Sequence, residues 1–359
     1  MKSSPKHIDY AAAGVNIDAG NEAVERIKAD VKSTHTPAVL TGLGGFGSLF
    51  DLTPLMKHYH HPVLVQSIDG VGTKVILAHK MKNYDTIGRD LLSACANDIL
   101  VMGARPLTFL DYIANDRLDP TTVAAIVSGM AAACRETGVA LVGGETAEMP
   151  DTYLPGEHDL VGIITGVVEK DRIITGEAIT VGDVVLGLPS SGLHTNGYSL
   201  ARKILFDLAH YNVNDRVEGW QKSIGETLLE PHINYTQPVL ALLDADQPVH
   251  GMAHITGGGL VENIPRILSD GCAVELNSGA WPVPPVFSLL QSRGDLPAAE
   301  MYRVFNMGIG LIIIVPPQAV ADVKEIVSPF LSVHEIGHVV AGDRSVHFIE
   351  TGGRPDSHD

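Results

Sequence analysis

Segments with strand and helix periodicity alternate through the first half of the chain, and this alternation constrains the fold more than any other feature. The apolar run at 62–68 predicts a strand. A helical pattern at 86–102 leads into a predicted strand at 107–113, and a second one at 120–137 leads into a predicted strand at 139–142. Strands that alternate with helices are typical of layered folds. We therefore predict an α/β fold.

The length of the chain favours two domains. The chain has 359 residues, and a single hydrophobic core rarely keeps growing beyond about 250–300 residues. A predicted strand at 160–168 ends the first half, and the charged stretch 169–172 follows it. We therefore predict an N-terminal domain of residues 1–170 and a C-terminal domain of residues 171–359.

Composition and charge exclude several classes of protein. A formal net charge of −17 argues against a protein that binds nucleic acid, because that function needs a basic face. No apolar run is long enough to cross a bilayer, and 311–315 is predicted to be a buried strand. Cys95, Cys134 and Cys272 lie far apart without disulfide or zinc spacing. We predict a cytoplasmic protein with no membrane or nucleic-acid partner.

The predicted helix at 86–102 carries polar residues on a mostly apolar surface. At about 100° per residue, Asp90 and Asn97 project almost together, with Asp98 about a quarter turn away. Carboxylates on such a helix are costly to bury unless they meet a cation or hydrogen-bond donors, and Mg²⁺ with nucleotide phosphates is one such partner. The alternative is that these residues face solvent or cap a neighbouring helix.

Two glycine-bearing segments place further carboxylates next to strands. The segment 69–74 combines a carboxylate, two glycines, a hydroxyl and an amine, namely Asp69, Gly70, Gly72, Thr73 and Lys74. The segment 143–148 repeats the pattern with Glu145. Glycines let backbone N–H groups approach phosphate, and carboxylates hold Mg²⁺. Together with Asp98, these acids predict a site for one or two Mg²⁺ ions and a triphosphate; alternatively, Glu145 belongs to an ordinary turn.

Two loops carry candidates whose role the residues alone leave open. The stretch 42–47, with Gly44, Gly45 and Gly47, is either a mobile loop that covers phosphates or a hairpin. His194 precedes a predicted helix, and it is either a general acid/base or phosphate ligand, or a surface or packing residue.

The motifs form an ordered set that resembles one family. The strings lie at 69–74, 95–98, 143–150, 190–199 and 254–259, and further matches extend the resemblance from Tyr10 to Gly310. This set closely resembles the phosphoribosylformylglycinamidine cyclo-ligase (AIR synthetase) family. Each string alone is weak, but their order over nearly the whole chain is highly specific.

The resemblance implies a fold, a reaction and an assembly. It implies two α/β domains and a homodimer in which the N-terminal sheets of two subunits form a barrel-like interface. It also implies ATP-dependent closure of formylglycinamidine ribonucleotide to 5-aminoimidazole ribonucleotide in purine (IMP) biosynthesis, with release of ADP and phosphate. In that reaction, phosphorylation of the formamide oxygen makes it a leaving group.

The resemblance also implies roles for residues that match the family's motifs. Metal ligands are expected at Asp69, Asp98 and Glu145. Catalytic roles are expected for His194, Asp98 and Lys28. ATP and its phosphates are expected at Gly44, Gly45, Gly47, Gly70, Gly72, Thr73, Lys74 and Asn97. The substrate side is expected at Ser191, Gly192, Asn196, Ser199, Thr256, Gly257 and Gly258.

Other members of the same superfamily are the main alternatives. A selenophosphate synthetase would carry a reactive cysteine near its N-terminus, whereas the first cysteine here is Cys95. The hydrogenase maturation factor ends in a cysteine-bearing tail, unlike 353–359 here. Thiamine-monophosphate kinases lack the strings at 143–150 and 190–199 in this form. A catalytically silent nucleotide-binding regulator would lose its metal ligands first, and all three are present.

Overall fold

The computed structural model describes residues 14–349. Tyr10, where the resemblance begins, and the end of the chain at 353–359 lie outside the described residues. Within these residues, the chain divides into two compact units: the first contains 14–60, 66–95 and 106–166, and the second contains 61–65, 96–105 and 167–349. Within the described part, none of the helices combines the length and apolar character of a membrane span.

A four-stranded sheet lies mostly in the first unit. Its strands are β1 (Pro62–Gly70), β2 (Arg105–Asn115), β3 (Ala140–Glu148) and β4 (His158–Glu169). The spatial order is β1-β4-β2-β3, so β1 and β3 are the edge strands. Strands β2 and β3 are parallel, and their register shifts between Phe109 and Leu110.

Four helices accompany this sheet in the sequence: α1 (Ile17–Ser33), α2 (Val75–Met81), α3 (Asp85–Leu100) and α4 (Pro120–Thr137). Local sequence explains their ends. The side chain of Asn16 accepts a hydrogen bond from the Ala19 N–H at the start of α1. Asp119 caps α4 in the same way, and Gly138 ends that helix in a left-handed conformation. The predicted α/β alternation is confirmed.

Strand β3 is longer than the sequence predicts. The prediction ended the strand at 142 and left a turn at Glu145 as an alternative, but the strand continues to Glu148. The physical reason is the neighbouring strand, because residues 110–115 of β2 pair in register with 143–148. Glu145 therefore lies within an edge strand and not in a turn.

The second unit contains a six-stranded sheet. Its strands are β5 (Val184–Pro189), β6 (Gly251–His254), β7 (Cys272–Asn277), β8 (Ile309–Val315), β9 (His334–Ala341) and β10 (Val346–Ile349). Their order is β10-β7-β9-β5-β8-β6. Strand β8 is buried along its whole length, which confirms the prediction for 311–315. Alternate residues of β8 enter different apolar clusters, with Ile312 in one and Ile313 in the other, so apolar cores cover both faces.

The described helices of this unit are α5 (Tyr198–Arg202), α6 (Ile224–Leu228), α7 (Thr236–Asp244), α8 (Gly259–Asn263), α9 (Pro285–Gly294), α10 (Ala298–Val304) and α11 (Val320–Val327). A π-helical turn, Lys203–Leu208, continues α5. The predicted helix after His194 is therefore confirmed as α5.

Two glycines let α3 and α4 approach each other closely. A Cβ atom added at Gly88 would lie 2.0 Å from the Ile126 carbonyl oxygen, and one at Gly129 would lie 1.9 Å from the Asp85 carbonyl oxygen. We predict that Gly88→Ala lowers the free energy of unfolding by about 3 kcal/mol, because backbone must move to admit the methyl group. Urea denaturation measures this change.

Gly20 provides the matched control, because it lies within α1 and, apart from its own stretch of helix, no heavy atom of the described residues is within 4 Å of an added Cβ. Gly20→Ala is expected to raise the free energy of unfolding by about 0.5–1 kcal/mol, since alanine favours the helix. Equal stability of Gly88→Ala and wild type would contradict the close helix packing.

Candidate active site

The glycine-rich segment forms the tip of a short hairpin in the first unit. Val39 and Phe50 form an antiparallel bridge, and the N–H of Leu40 donates to the carbonyl of Leu49 at 2.9 Å. Within 42–47, Gly44 has a positive φ of 95°. The flanks of this segment therefore pair as in the hairpin alternative, and its tip is an exposed loop. The covering of phosphates by this loop stays a prediction.

The predicted glycines of this loop and Glu145 line one cavity of about 910 Å³. Helix α1 and strands β2 and β3 supply the other walls. Glu145 is exposed. Glu148 lines the same cavity, and its carboxylate is anchored because Oε1 accepts the Leu118 N–H at 3.0 Å and Oε2 accepts the Asn16 N–H at 2.5 Å. One acidic side chain is therefore fixed by backbone donors beside another that is exposed.

Asp111 lines this cavity too, and the sequence analysis gave it no role. It lies opposite Gly144 on β3. A Cβ at Gly144 would lie only 2.4 Å from the Asp111 carboxylate, so the glycine makes room for it. Burial raises the pKa of Asp111 to about 7. The signal for this residue was a lone acid within an apolar strand pattern.

Asp69 lies at the other edge of the same sheet. It is near the end of β1, and its Oδ1 accepts the N–H of Gly70 at 2.7 Å. In the order β1-β4-β2-β3, two strands lie between Asp69 and Glu145. At ordinary strand spacing, the strands that carry these two residues are roughly 14 Å apart. A single sheet therefore does not bring these two predicted metal ligands together.

The loop after Asp69 is anchored by a buried ion pair. Lys74 Nζ lies 2.7 Å from Asp90 Oδ2, and neither side chain is exposed to solvent. Gly72 and Thr73 line a cavity of about 360 Å³ with His79 and other residues. Asp90 thus neither faces solvent nor caps a helix: it pairs with the lysine that follows the glycines.

Asn97 and Asp98 have defined partners in the second unit. The Asn97 side chain accepts the Tyr235 N–H at 2.9 Å and donates to the Ile233 carbonyl at 2.9 Å. Asp98 Oδ1 lies 2.8 Å from His254 Nδ1, and the Asp98 side chain is 33% exposed. Asn97 is therefore held by backbone groups, whereas the Asp98 carboxylate reaches solvent.

His194 is buried in a turn that also holds Ser191 and Asn196. Its φ of +58° is unusual for a residue with a side chain. The Ser191 N–H donates to His194 Nε2 at 3.2 Å, and the Gly257 N–H donates to Asn196 Oδ1 at 2.9 Å. These bonds bring the predicted substrate-side residues of two segments together.

The remaining predicted residues vary in exposure. Gly257 and Gly258 line a cavity of about 440 Å³ that also contains Arg303. Ser199 is exposed in the first turn of α5. Lys28 is exposed on α1, and its ammonium group pairs with Glu25. No observation tests the roles of these residues, which stay predictions.

The fold and the site define a class of protein: an α/β chain of two compact units with glycine-bordered acidic cavities. Two family profiles match it. The one described as AIR synthase related protein, N-terminal domain, matches residues 55–168, and the one described as AIR synthase related protein, C-terminal domain, matches residues 180–350. The chain belongs to this AIR synthase related family.

Two relatives with about half of their residues identical to this chain have the same name. A phosphoribosylformylglycinamidine cyclo-ligase of Limosilactobacillus reuteri is 50% identical over 332 residues, which are 92% of this chain and 95% of that protein. One of Trichlorobacter lovleyi is 51% identical over 319 residues, covering 89% and 90% of the two chains.

Solved structures with lower identity share the fold. The thiamine-monophosphate kinase of Stenotrophomonas maltophilia has a TM-score of 0.68 at 18% identity and covers 91% of this chain and 95% of that one. The hydrogenase maturation protein HypE in complex with ATP has a TM-score of 0.64 at 18% identity and covers 91% of each chain. At this identity the likeness shows the fold alone.

The buried Lys74–Asp90 pair generates a prediction about stability. Lys74→Met is expected to lower the free energy of unfolding by about 3–5 kcal/mol, because it leaves the Asp90 carboxylate buried without its cation. Chemical denaturation at neutral pH measures the loss.

The double variant Lys74→Met/Asp90→Leu separates charge from packing. It removes both charges, so we expect it to recover most of the stability lost in the single variant. If the double variant is less stable than Lys74→Met, the loss does not come from an unpaired buried charge.

Proposed function

We propose that the chain acts as a phosphoribosylformylglycinamidine cyclo-ligase: it uses ATP to close formylglycinamidine ribonucleotide to 5-aminoimidazole ribonucleotide. The observation that carries the proposal is the 50% identity to relatives of that name over 92% of the chain. The motifs at Asp69, Asp98 and Glu145 are intact. Thiamine-monophosphate kinase and HypE share the fold at 18% identity, which gives no comparable support for their activities.

The reaction needs a leaving group at the formyl carbon. The formamide oxygen attacks the γ-phosphorus of ATP, the bond to the β,γ-bridging oxygen breaks, and ADP leaves. The amidine nitrogen of the substrate then attacks the activated carbon, the carbon–oxygen bond breaks, and inorganic phosphate departs with the formamide oxygen. Loss of protons from nitrogen and carbon completes the aromatic ring. Positioning and neutralisation of charge account for most catalysis of such transfers.

Carboxylates are the expected ligands for Mg²⁺ on the ATP phosphates. Asp69, Asp98 and Glu145 supply the hard oxygen donors that this ion prefers. Glu145 is exposed and the Asp98 side chain is partly exposed, so both can meet a hydrated ion. Bound Mg²⁺ would neutralise charge on the transferring phosphoryl group. We assign the loop 42–47 to cover phosphates.

Lysines and an amide support the phosphate site in different ways. Lys74 is held by Asp90, so it fixes the backbone of Gly70, Gly72 and Thr73 beside the phosphates. Asn97 similarly stabilises the backbone at Tyr235. Lys28 is exposed, and its ammonium group can turn from Glu25 towards phosphate.

The substrate is proposed to bind in the second unit. Its contacts come from a turn and a glycine segment: Ser191, Gly192, Asn196, Ser199, Thr256, Gly257 and Gly258. These segments are joined by the bond from the Gly257 N–H to Asn196. His194, whose ring is buried beside this turn, is assigned to the reacting centre as general acid or base.

We propose a homodimer that pairs through the edges of the first sheet. Strand β1 is an edge strand, and it exposes Leu64 and Ile68 by 58% and 65%. An apolar open edge favours pairing with another strand. Asp69 and Glu145 lie on opposite edges of the sheet. Pairing of the sheets of two subunits therefore also allows an Asp69 and a Glu145 to bind the same ATP molecule. We propose that a cytoplasmic homodimer is the active form, with domains of residues 1–170 and 171–359.

Asp98→Asn tests the site. We predict that it lowers the rate of 5-aminoimidazole ribonucleotide formation at least about 100-fold, because a neutral amide binds Mg²⁺ poorly. Asparagine Oδ1 can still accept the His254 bond, so the thermal midpoint should stay within a few degrees of wild type. The assay follows aminoimidazole and ADP together.

Asp246→Asn is the control in the same unit. Asp246 is 73% exposed and pairs with Arg172, so its loss should leave turnover unchanged. Wild-type turnover in Asp98→Asn would contradict the assigned role. Absence of ADP and product with the wild-type protein would contradict the proposed reaction itself.

A further inference from the structure

A chain of hydrogen-bonding side chains runs through the second unit from Asn196 to Asp98. Asn196 Nδ2 lies 3.4 Å from Thr195 Oγ1, which lies 3.3 Å from His232 Nδ1. His232 Nε2 lies 3.1 Å from His254 Nε2, and His254 Nδ1 lies 2.8 Å from Asp98 Oδ1. The two histidines at its centre are buried. The chain thus links a proposed substrate residue with a proposed metal ligand.

The donors and acceptors at the two ends of this chain can be assigned. The Gly257 N–H fixes Oδ1 of Asn196 as an acceptor, so Nδ2 donates to Thr195. The Thr195 hydroxyl, which can both donate and accept, bonds to His232 Nδ1. At the other end, the Asp98 carboxylate only accepts, so His254 Nδ1 carries a hydrogen.

His232 Nε2 has a second polar neighbour. It lies 3.1 Å from His254 Nε2 and 3.3 Å from Asn97 Nδ2. Oδ1 of Asn97 accepts the Tyr235 N–H, so Nδ2 is the donor end of that amide. Side chains of Thr195, His254 and Asn97 therefore hold the His232 ring at both of its nitrogens.

A metal ion held by three histidines is the competing explanation. Ring nitrogens of His194, His232 and His254 lie within 4.8 Å of one another. However, the rings of His194 and His232 are stacked, with centroids 3.9 Å apart and planes 22° apart. Because a metal–imidazole bond lies in the ring plane, at about 2.0–2.1 Å for zinc, stacked rings cannot both point at one ion. The stacking favours the hydrogen-bonded chain.

We propose that His232 is a positioning residue that holds the turn containing His194 and Asn196 in register with His254 and Asp98. This inference rests on the proposed function. The Thr195 and His254 bonds fix the plane of the His232 ring, and that plane supports the stacked ring of His194. His232 therefore acts through its neighbours and is not assigned a contact with substrate.

Two substitutions separate the hydrogen bonds from the stacked ring. His232→Phe keeps a flat ring against His194 but removes both polar atoms. His232→Gln loses the ring but keeps an acceptor and a donor at the end of a side chain of similar reach. We expect His232→Phe to lower kcat about tenfold with KM for ATP within twofold of wild type, because misalignment affects the reacting groups more than ATP binding. His232→Gln should stay within threefold of wild-type kcat.

Thr195→Val tests whether the effect passes along the chain. Valine matches threonine in shape but cannot donate to His232. If the residues act as one unit, the double variant Thr195→Val/His232→Phe should be no slower than His232→Phe alone. Thermal midpoints of all variants establish that they are folded.

Three kinetic or chemical results would overturn the inference. One is wild-type kcat in His232→Phe, and another is losses from Thr195→Val and His232→Phe that multiply. The third is one equivalent of a transition metal per purified chain that disappears in His232→Phe. Failure of wild type to make product would instead count against the proposed function.

A measurement without turnover tests the chain even in that case. In protein labelled with ¹⁵N-histidine, a scalar coupling between the Nε2 nuclei of His232 and His254 is expected, because an N–H···N hydrogen bond transmits it. The coupling should be absent in His232→Gln, which lacks one of the two nuclei. If wild type shows no such coupling, the hydrogen-bonded chain does not exist as assigned.

Discussion

The polar residues of α3 are the constraint on which the rest of the site depends. A charged or amide side chain is costly to bury unless a partner compensates it. Asp90 is paired with Lys74, Asn97 holds the backbone at Tyr235, and Asp98 accepts from His254. Lys74 belongs to the proposed phosphate loop of the first unit, and His254 precedes the proposed substrate segment of the second unit. Within each unit, residues of this helix therefore hold a loop through specific polar contacts.

A glycine makes room for an acidic side chain on the sheet of the first unit. Gly144 allows the Asp111 carboxylate to occupy space that any larger residue would fill. Because that carboxylate is buried, its pKa rises to about 7, whereas Glu145 on the same cavity is exposed. Two acids of the same cavity thus differ in environment, and such differences separate the protonation states of neighbouring groups.

Sequence patterns predicted the elements that are determined by residues close together in the chain. Helix α4 begins and ends where proline and glycine place it, and the all-apolar β8 was identified from its composition. The extension of β3 to Glu148 was missed, since it depends on pairing with β2. The Lys74–Asp90 pair and the role of His232 could not be predicted, because each depends on residues distant in sequence that only tertiary packing brings into contact.

The central claim is that the formamide oxygen of the substrate is phosphorylated before the ring closes. Transfer of an oxygen label tests it most directly. With formylglycinamidine ribonucleotide carrying ¹⁸O in its formyl group, the account predicts one ¹⁸O atom in each inorganic phosphate released, together with one ADP and one aminoimidazole product. Phosphate without ¹⁸O, formed while the ring still closes, would contradict it.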